Sequence, residues 1–181
     1  MPREGDVSRL FGPIFQACYL TNDLAGELAY WIGTLGVGPF FVLPPRAFET
    51  LVYRGVAAAD REIISRVALG FSGDLQIEFI EPGPAPSIYR DFLSTGQTGV
   101  HHFGIAARDF DQQRQVALDR GLEIVMEGAS SLTRFAYIAP DSARPGTILE
   151  LIEMGPAVTA AFDMMCEAAR GWDGQRPVRA L

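Results

Sequence analysis

The sequence contains no lysine; all fifteen of its basic residues are arginine. Schiff-base chemistry, a pyridoxal anchor and a P-loop each need a lysine amine, so all three are excluded for this chain. Cysteine is scarce as well. Cys18 and Cys166 are too few for a disulfide framework and lack the spacing of a zinc knuckle. No uninterrupted apolar run approaches the ~18 residues of a membrane span. The opening Met1-Pro2-Arg3-Glu4-Gly5-Asp6 has no apolar core of a signal peptide. Positive charge is in deficit, giving a formal net charge of −7, which argues against nucleic acid and anionic membrane surfaces as partners. What remains is ordinary globular composition over 181 residues, 48% apolar and 20% charged. A chain of this length buries roughly 70% of its unfolded surface without staples. The expectation is one compact domain, soluble, reduced and cytoplasmic.

Along the chain, residues 1–12 read as a polar lead-in and 13–20 as a strand with one polar residue, Gln16. Thr21-Asn22-Asp23 supplies cap chemistry for a helix carrying Leu24, Leu28, Trp31 and Leu35 at helical spacing, with Gly36 as its stop. Residues 40–43 read as a buried strand halted by Pro44-Pro45, and 49–54 as a second extended piece before turn-like Gly55 and the stretch 57–60. Residues 63–71 and 75–81 predict a hairpin across Ser72-Gly73-Asp74. Pro82-Gly83-Pro84-Ala85-Pro86 is a linker by composition, followed by a short helix at 87–93. A strand then runs over 101–107, and Asp109-x-x-Gln112 is a capping-box start for a helix ending near Gly121. Extended segments at 122–127 and 133–139, a strand at 147–154 and a helix at 157–171 with a polar tail complete the chain. The Trp172-Asp173-Gly174 turn reads as structural.

The second half repeats the first. Gln16 lies seven residues before helix-opening Asp23, and His102 lies seven before helix-opening Asp109, an offset of 86 at both positions. The helix-ending glycines, Gly36 and Gly121, are offset by 85. Two βαβββ modules are therefore expected at 13–82 and 100–154, joined by a linker at 83–99 and followed by a helix and tail at 155–181. The fold class is α+β.

Side chains alternate across a strand, so a lone polar residue among apolar neighbours selects a face. Gln16 and His102 occupy equivalent first strands, Glu78 and Glu150 equivalent last strands. If the modules pair about a pseudo-twofold, these four side chains converge on one point with one nitrogen and three oxygens. That set favours a borderline or hard divalent ion, and two carboxylates balance its charge. The bland alternative is that each Glu sits at an edge or pairs with arginine. The register of Asp23 selects His102 over His101, which should point away. Cys18 reads as core packing, because no His/Asp partner marks it as a nucleophile.

Gln16…Asp23…Leu35-Gly36, the strand Ile77-Glu78-Phe79-Ile80-Glu81-Pro82, His101-His102-Phe103-Gly104-Ile105 and Leu149-Glu150-Leu151 together resemble the vicinal oxygen chelate superfamily. That group includes glyoxalase I, methylmalonyl-CoA epimerase, extradiol dioxygenases and bleomycin-resistance proteins. The resemblance spans residues 13–154. It implies a cupped mixed β-sheet around one divalent ion (zinc, nickel, cobalt, manganese or iron) held by Gln16, Glu78, His102 and Glu150, in a homodimer. The order Gln, Glu, His, Glu is similar to eukaryotic-type glyoxalase I. It departs from the epimerases, which show His first and Gln second, and from dioxygenases, which have His where Gln16 stands. No glutathione-binding pattern is recognisable.

The activity implied is that of an isomerase, epimerase or lyase. It would abstract a proton α to a carbonyl of a small substrate and stabilise a metal-chelated enediolate, with Glu150, then Glu78, as the base. The alternatives are a non-catalytic sequestering protein of the bleomycin-resistance type and a ring-cleaving dioxygenase. Phe40, Phe41, Phe71 and Tyr137 suit an apolar pocket or a core equally. Specificity is expected in loops around 44–62 and 127–133, with Arg54 and Arg134 as candidate anchors for an anionic group.

Overall fold

The computed structural model of the chain describes residues 10–43, 45, 48–58, 62–97, 99–140 and 147–181. In the first half these form β1 (Ile14–Leu20), α1 (Leu24–Gly33), β2 (Phe40–Leu43), β3 (Thr50–Tyr53), β4 (Val56–Ala57), β5 (Ile64–Ser72) and β6 (Leu75–Pro82). Helix α2 (Ile88–Ser94) leads to the second half: β7 (Val100–Ala106), α3 (Phe110–Asp119), β8 (Ile124–Ala129), β9 (Thr133–Ile138) and β10 (Ile148–Met154). Helix α4 (Pro156–Arg170) and strand β11 (Val178–Ala180) close the chain. Residues 1–9 of the expected lead-in, Pro44 of the expected strand stop, and 59–60 of the stretch after Gly55 lie outside the described residues.

The strands form one mixed sheet in the order β11-β2-β5-β6-β1-β7-β10-β9-β8-β3-β4. In each half the first strand runs parallel to the last, β1 beside β6 and β7 beside β10. The halves meet where β1 and β7 pair antiparallel, which makes the arrangement pseudo-twofold. This is the α+β fold with two βαβββ units that the repeat implies.

Each half opens its helix in the same way. Asp23 accepts a hydrogen bond from the Gly26 N–H at 3.0 Å, and Asp109 from the Gln112 N–H at 3.0 Å, as N-caps do. The return bond expected from Gln112 comes instead from its neighbour. Gln113 Oε1 accepts from the backbone N–H groups of Arg108 (2.9 Å) and Asp109 (3.3 Å), because Gln113 faces inward and Gln112 faces water. Helix α1 ends before Leu35, which is exposed, and Gly36 turns the chain at φ +68°.

Both helices cover the convex face of the sheet. Leu24 and Leu28 pack on Phe40, Ala68, Ile77 and Phe79, and Phe110 and Ala117 on Ile105, Ala136, Ile138 and Leu151. The alternate residues face a concave interior, where Cys18, Leu20, Ile80 and Tyr137 meet Ile88 and Tyr89 of α2 and Met165 and Cys166 of α4. No helix among the described residues is long and apolar enough to cross a membrane.

Two segments go where local pattern does not send them. The piece expected at 49–54 leaves its own half, and β3 pairs antiparallel with β8 of the second. Strand β4 folds back on β3 across Arg54 and Gly55, both at positive φ. The expected polar tail contributes β11, which pairs parallel with β2. The Trp172 ring packs against Gly38, so close that a Cβ there would meet it at 2.8 Å.

Candidate metal centre

The pairing of β1 with β7 sets Cys18 opposite His102 and Gln16 opposite Gly104. With β6 beside β1 and β10 beside β7, Gln16, Glu78, His102 and Glu150 come from the four central strands of the sheet. His102 Nε2 lies 3.1 Å from Glu150 Oε2 and 3.4 Å from Glu78 Oε2. Gln16, Glu78 and Glu150 line one cavity on the concave face. Gln16, His102 and Glu150 are buried and Glu78 is half-buried. The structure thus gathers all four residues the sequence singled out.

The donor set fits a divalent ion. Gln16 Oε1 and His102 Nε2 are buried and have no hydrogen-bond partner; although both carboxylates lie near Nε2, neither is placed to close a hydrogen bond with it. An unpartnered buried polar group costs about 1–3 kcal/mol, so His102 Nε2 beside two carboxylates and Gln16 Oε1 in the same cavity as those carboxylates suit a ligand; Gln76 Nε2 and His101 Nε2 behind them are unpartnered as well. The orientation of Gln16 and His102 is fixed from behind. Gln16 Nε2 donates to Gln76 Oε1 at 2.8 Å, which turns Gln16 Oε1 outward. His102 Nδ1 lies 2.9 Å from His101 Nδ1, which leaves Nε2 as the ligating nitrogen, as second-shell contacts do in metal sites. Burial pushes the His102 pKa down, but Glu150 and then Glu78 more than offset it and raise it to about 9. A divalent ion at the same point would answer the same concentration of negative charge.

His101 does not point away. Tyr19 pairs with Val100 while Cys18 pairs with His102, so His101 is the extra residue of a β-bulge. Alternation fails at a bulge, and the two imidazoles stand 5.2 Å apart, edge to face. Burial first, and then the charge of His102, push His101 down to about 3, so it is neutral near pH 7. Tyr89 and Phe92 of α2 pack on its ring.

Cys18 is core and also borders the site, its sulfur within 4.8 Å of the ligating atoms of Glu78 and His102. Burial, and then Glu78, push its thiol pKa up, which keeps it a thiol. Sequence reasoning missed Gln76 as the partner of Gln16, although it lies two residues from Glu78 on the same strand face. It also missed the buried pair Tyr89–Tyr137, whose hydroxyls are 2.8 Å apart.

The candidate anion anchors are corrected. Arg134 lies on the convex face over the Phe110 ring, bound to Glu153 at 2.8 Å and Asp111 at 3.0 Å. Arg54 pairs with Asp91 at 2.9 Å and borders a separate cleft of about 650 Å³ behind His101. Neither reaches the cavity of Glu150. Of the four aromatics, Tyr137 lines that cavity, Phe41 and Phe71 are interior core, and Phe40 lies under α1.

A Cβ at Gly104 would stand 2.3 Å from Gln16 Oε1. Gly104→Ala is therefore expected to swing the Gln16 carboxamide off Gln76 and, because Gln16 Cβ also stands 2.9 Å away, to push β1 from β7. The Gln16 side-chain amide resonances should move in an NMR spectrum and the melting midpoint should fall. Unmoved resonances would contradict this packing.

Residues 15–137 match the family model of the Glyoxalase/Bleomycin resistance protein/Dioxygenase superfamily. Among solved structures, methylmalonyl-CoA epimerase from Mycobacterium tuberculosis superposes with a TM-score of 0.58 at 20% identity, over 85% of this chain and 95% of that one. A variant of Streptomyces coelicolor methylmalonyl-CoA epimerase, in complex with 2-nitronate-propionyl-CoA, gives 0.57 at 19% identity, over 81% and 96%. A hypothetical protein from Bacillus halodurans gives 0.58 at 17%, over 79% and 94%. At these identities the likeness is one of fold. No curated protein matches the chain in sequence.

Proposed function

Because the chain belongs to the glyoxalase/bleomycin resistance protein/dioxygenase superfamily, we propose that it is a divalent-metal-dependent isomerase, epimerase or lyase that removes a proton α to the carbonyl of a small substrate. The observation that carries the reading is the pair of buried, unpartnered atoms Gln16 Oε1 and His102 Nε2 beside the carboxylates of Glu78 and Glu150. Gln16, Glu78, His102 and Glu150 would hold the ion. When bound, it would polarise the substrate carbonyl and offset the negative charge that develops there.

The chain's own residues supply the rest. Glu150 on β10 and Glu78 on β6 flank His102 from opposite halves, so each reaches a different side of a substrate carbon. Glu150 is the proposed base, and a positioned carboxylate typically contributes ~10²–10⁴-fold. Tyr89 and Tyr137 line the same cavity, and their hydroxyls hydrogen-bond to each other at 2.8 Å. Burial, and then Glu150, push both phenols up, so they stay protonated and add no negative charge to the cavity. Leu43, Leu69, Ile80 and Phe135 wall the cavity and keep water from the reacting carbon.

The test is proton exchange. Metal-bearing protein in D₂O is incubated with a panel of α-hydroxyketones, and deuterium entering the α position is followed by NMR. Wild type should exchange at least one member, and Glu150→Gln should lose ~10²–10⁴-fold of that rate with its metal retained. Binding without any exchange across the panel would sink the enzyme reading and favour a sequestering protein.

A further inference from the structure

Helix α4 lies beyond the residues matched by the family model and packs across both halves of the cup, on β5 of the first and β10 of the second. It is fixed at both ends. Its N-terminus follows directly from β10, and its C-terminal Arg170 pairs with Asp74 in the β5–β6 turn at 2.9 Å. Beyond it, β11 is stitched to β2. Met165 and Cys166 are buried in the interior, which holds the helix in one rotation. That rotation turns Val158 and Phe162 into the cavity lined by Gln16, Glu78 and Glu150. The Phe162 ring also lies 6.1 Å from the Phe15 ring at the start of the sheet. With the helix in place, the cavity measures about 100 Å³. A dry cavity of about 150 Å³ accepts benzene, so a six-membered ring beside Gln16, Glu78 and Glu150 would press on α4.

We propose that Phe162, with Val158, is the specificity-determining part of the site and restricts it to α-hydroxycarbonyl and α-dicarbonyl compounds with short aliphatic arms. The chemical class rests on the function proposed above; the size limit rests on α4 alone. The cavity wall is apolar around the two carboxylates, so a methyl or ethyl arm is buried favourably while a bulky arm meets the Phe162 ring. Truncating that ring removes the barrier without touching Gln16, Glu78, His102 or Glu150.

The experiment is calorimetric titration of the purified, metal-bearing full chain with two vicinal diketones, 2,3-butanedione and 1-phenyl-1,2-propanedione. Metal content is measured on the same samples. Wild type should bind butanedione and take the phenyl compound at least about tenfold more weakly. Phe162→Ala should bind the phenyl compound at least about tenfold more tightly than wild type, since burying an aromatic ring is worth ~1.5–3 kcal/mol and each 1.4 kcal/mol is tenfold. Phe162→Leu, a milder change should the alanine variant fail to fold, should fall between the two. A wild type that binds the phenyl compound as well as butanedione overturns the size limit. So does a preference that neither substitution moves. If wild type carries no metal yet keeps the preference, the metal-dependent reading fails and the size limit stands.

Discussion

His102→Ala is expected to purify without metal and to take up none on dialysis against zinc, nickel or cobalt, as read by elemental analysis. Changes to groups that merely orient a ligand typically cost ~10–100-fold in affinity, and His102 is the nitrogen donor itself. Its loss also removes the group that separates two carboxylates at 3.1 and 3.4 Å. Glu150→Ala should fail in the same way, because it removes the ligating oxygen itself, which Glu150→Gln keeps as an amide carbonyl. Thermal unfolding supplies a second readout. A ligand that binds only the native state stabilises it by about 2.7 kcal/mol at a hundredfold excess over Kd. Chelator should therefore lower the wild-type midpoint and leave the His102→Ala midpoint where it was. If that variant keeps its metal, the ion sits elsewhere and the four-residue centre is wrong.

Phe79→Ala should be the most costly single change outside the site. Phe79 is fully buried under α1, and its ring meets those of Tyr19, Trp31 and Phe40 at centroid distances of 5.5, 5.5 and 5.7 Å. Truncating a buried Phe costs ~3–5 kcal/mol against a total native stability of about 5–15 kcal/mol. Urea denaturation should show the midpoint falling with the slope unchanged. Phe79→Leu, which keeps most of the volume, should lose much less. A loss under about 1 kcal/mol for the alanine variant would mean that α1 settles into the vacated space.

Much of this site was legible in the sequence, for a local reason. Gln16 and His102 are marked by their distance from capping aspartates, and Glu78 and Glu150 by carboxylates set inside apolar strands. Short-range pattern stops there. His101 went astray because alternation assumes a regular strand, and the bulge that turns its ring beside His102 is set by pairing with β1 rather than by its neighbours. The Tyr89–Tyr137 contact joins residues 48 apart, and nothing in either segment announces the other. Strand β3 has four residues and a partner in the opposite half, so its extended character was readable and its destination was not. Arg134 looked available as a lone cation in sequence, whereas two carboxylates already occupy it.

The margins of the sheet bear on how this chain meets its neighbours. One side ends in β4, two residues long, and the other in β11, three residues long, where a usual strand has ~5–6. Open strand edges are templates for lateral growth, and very short ones blunt it. The hairpin lent by the first half shields β8 on one flank, and the chain's own tail shields β2 on the other. Sideways extension of the sheet by another polypeptide is therefore disfavoured at both flanks among the described residues.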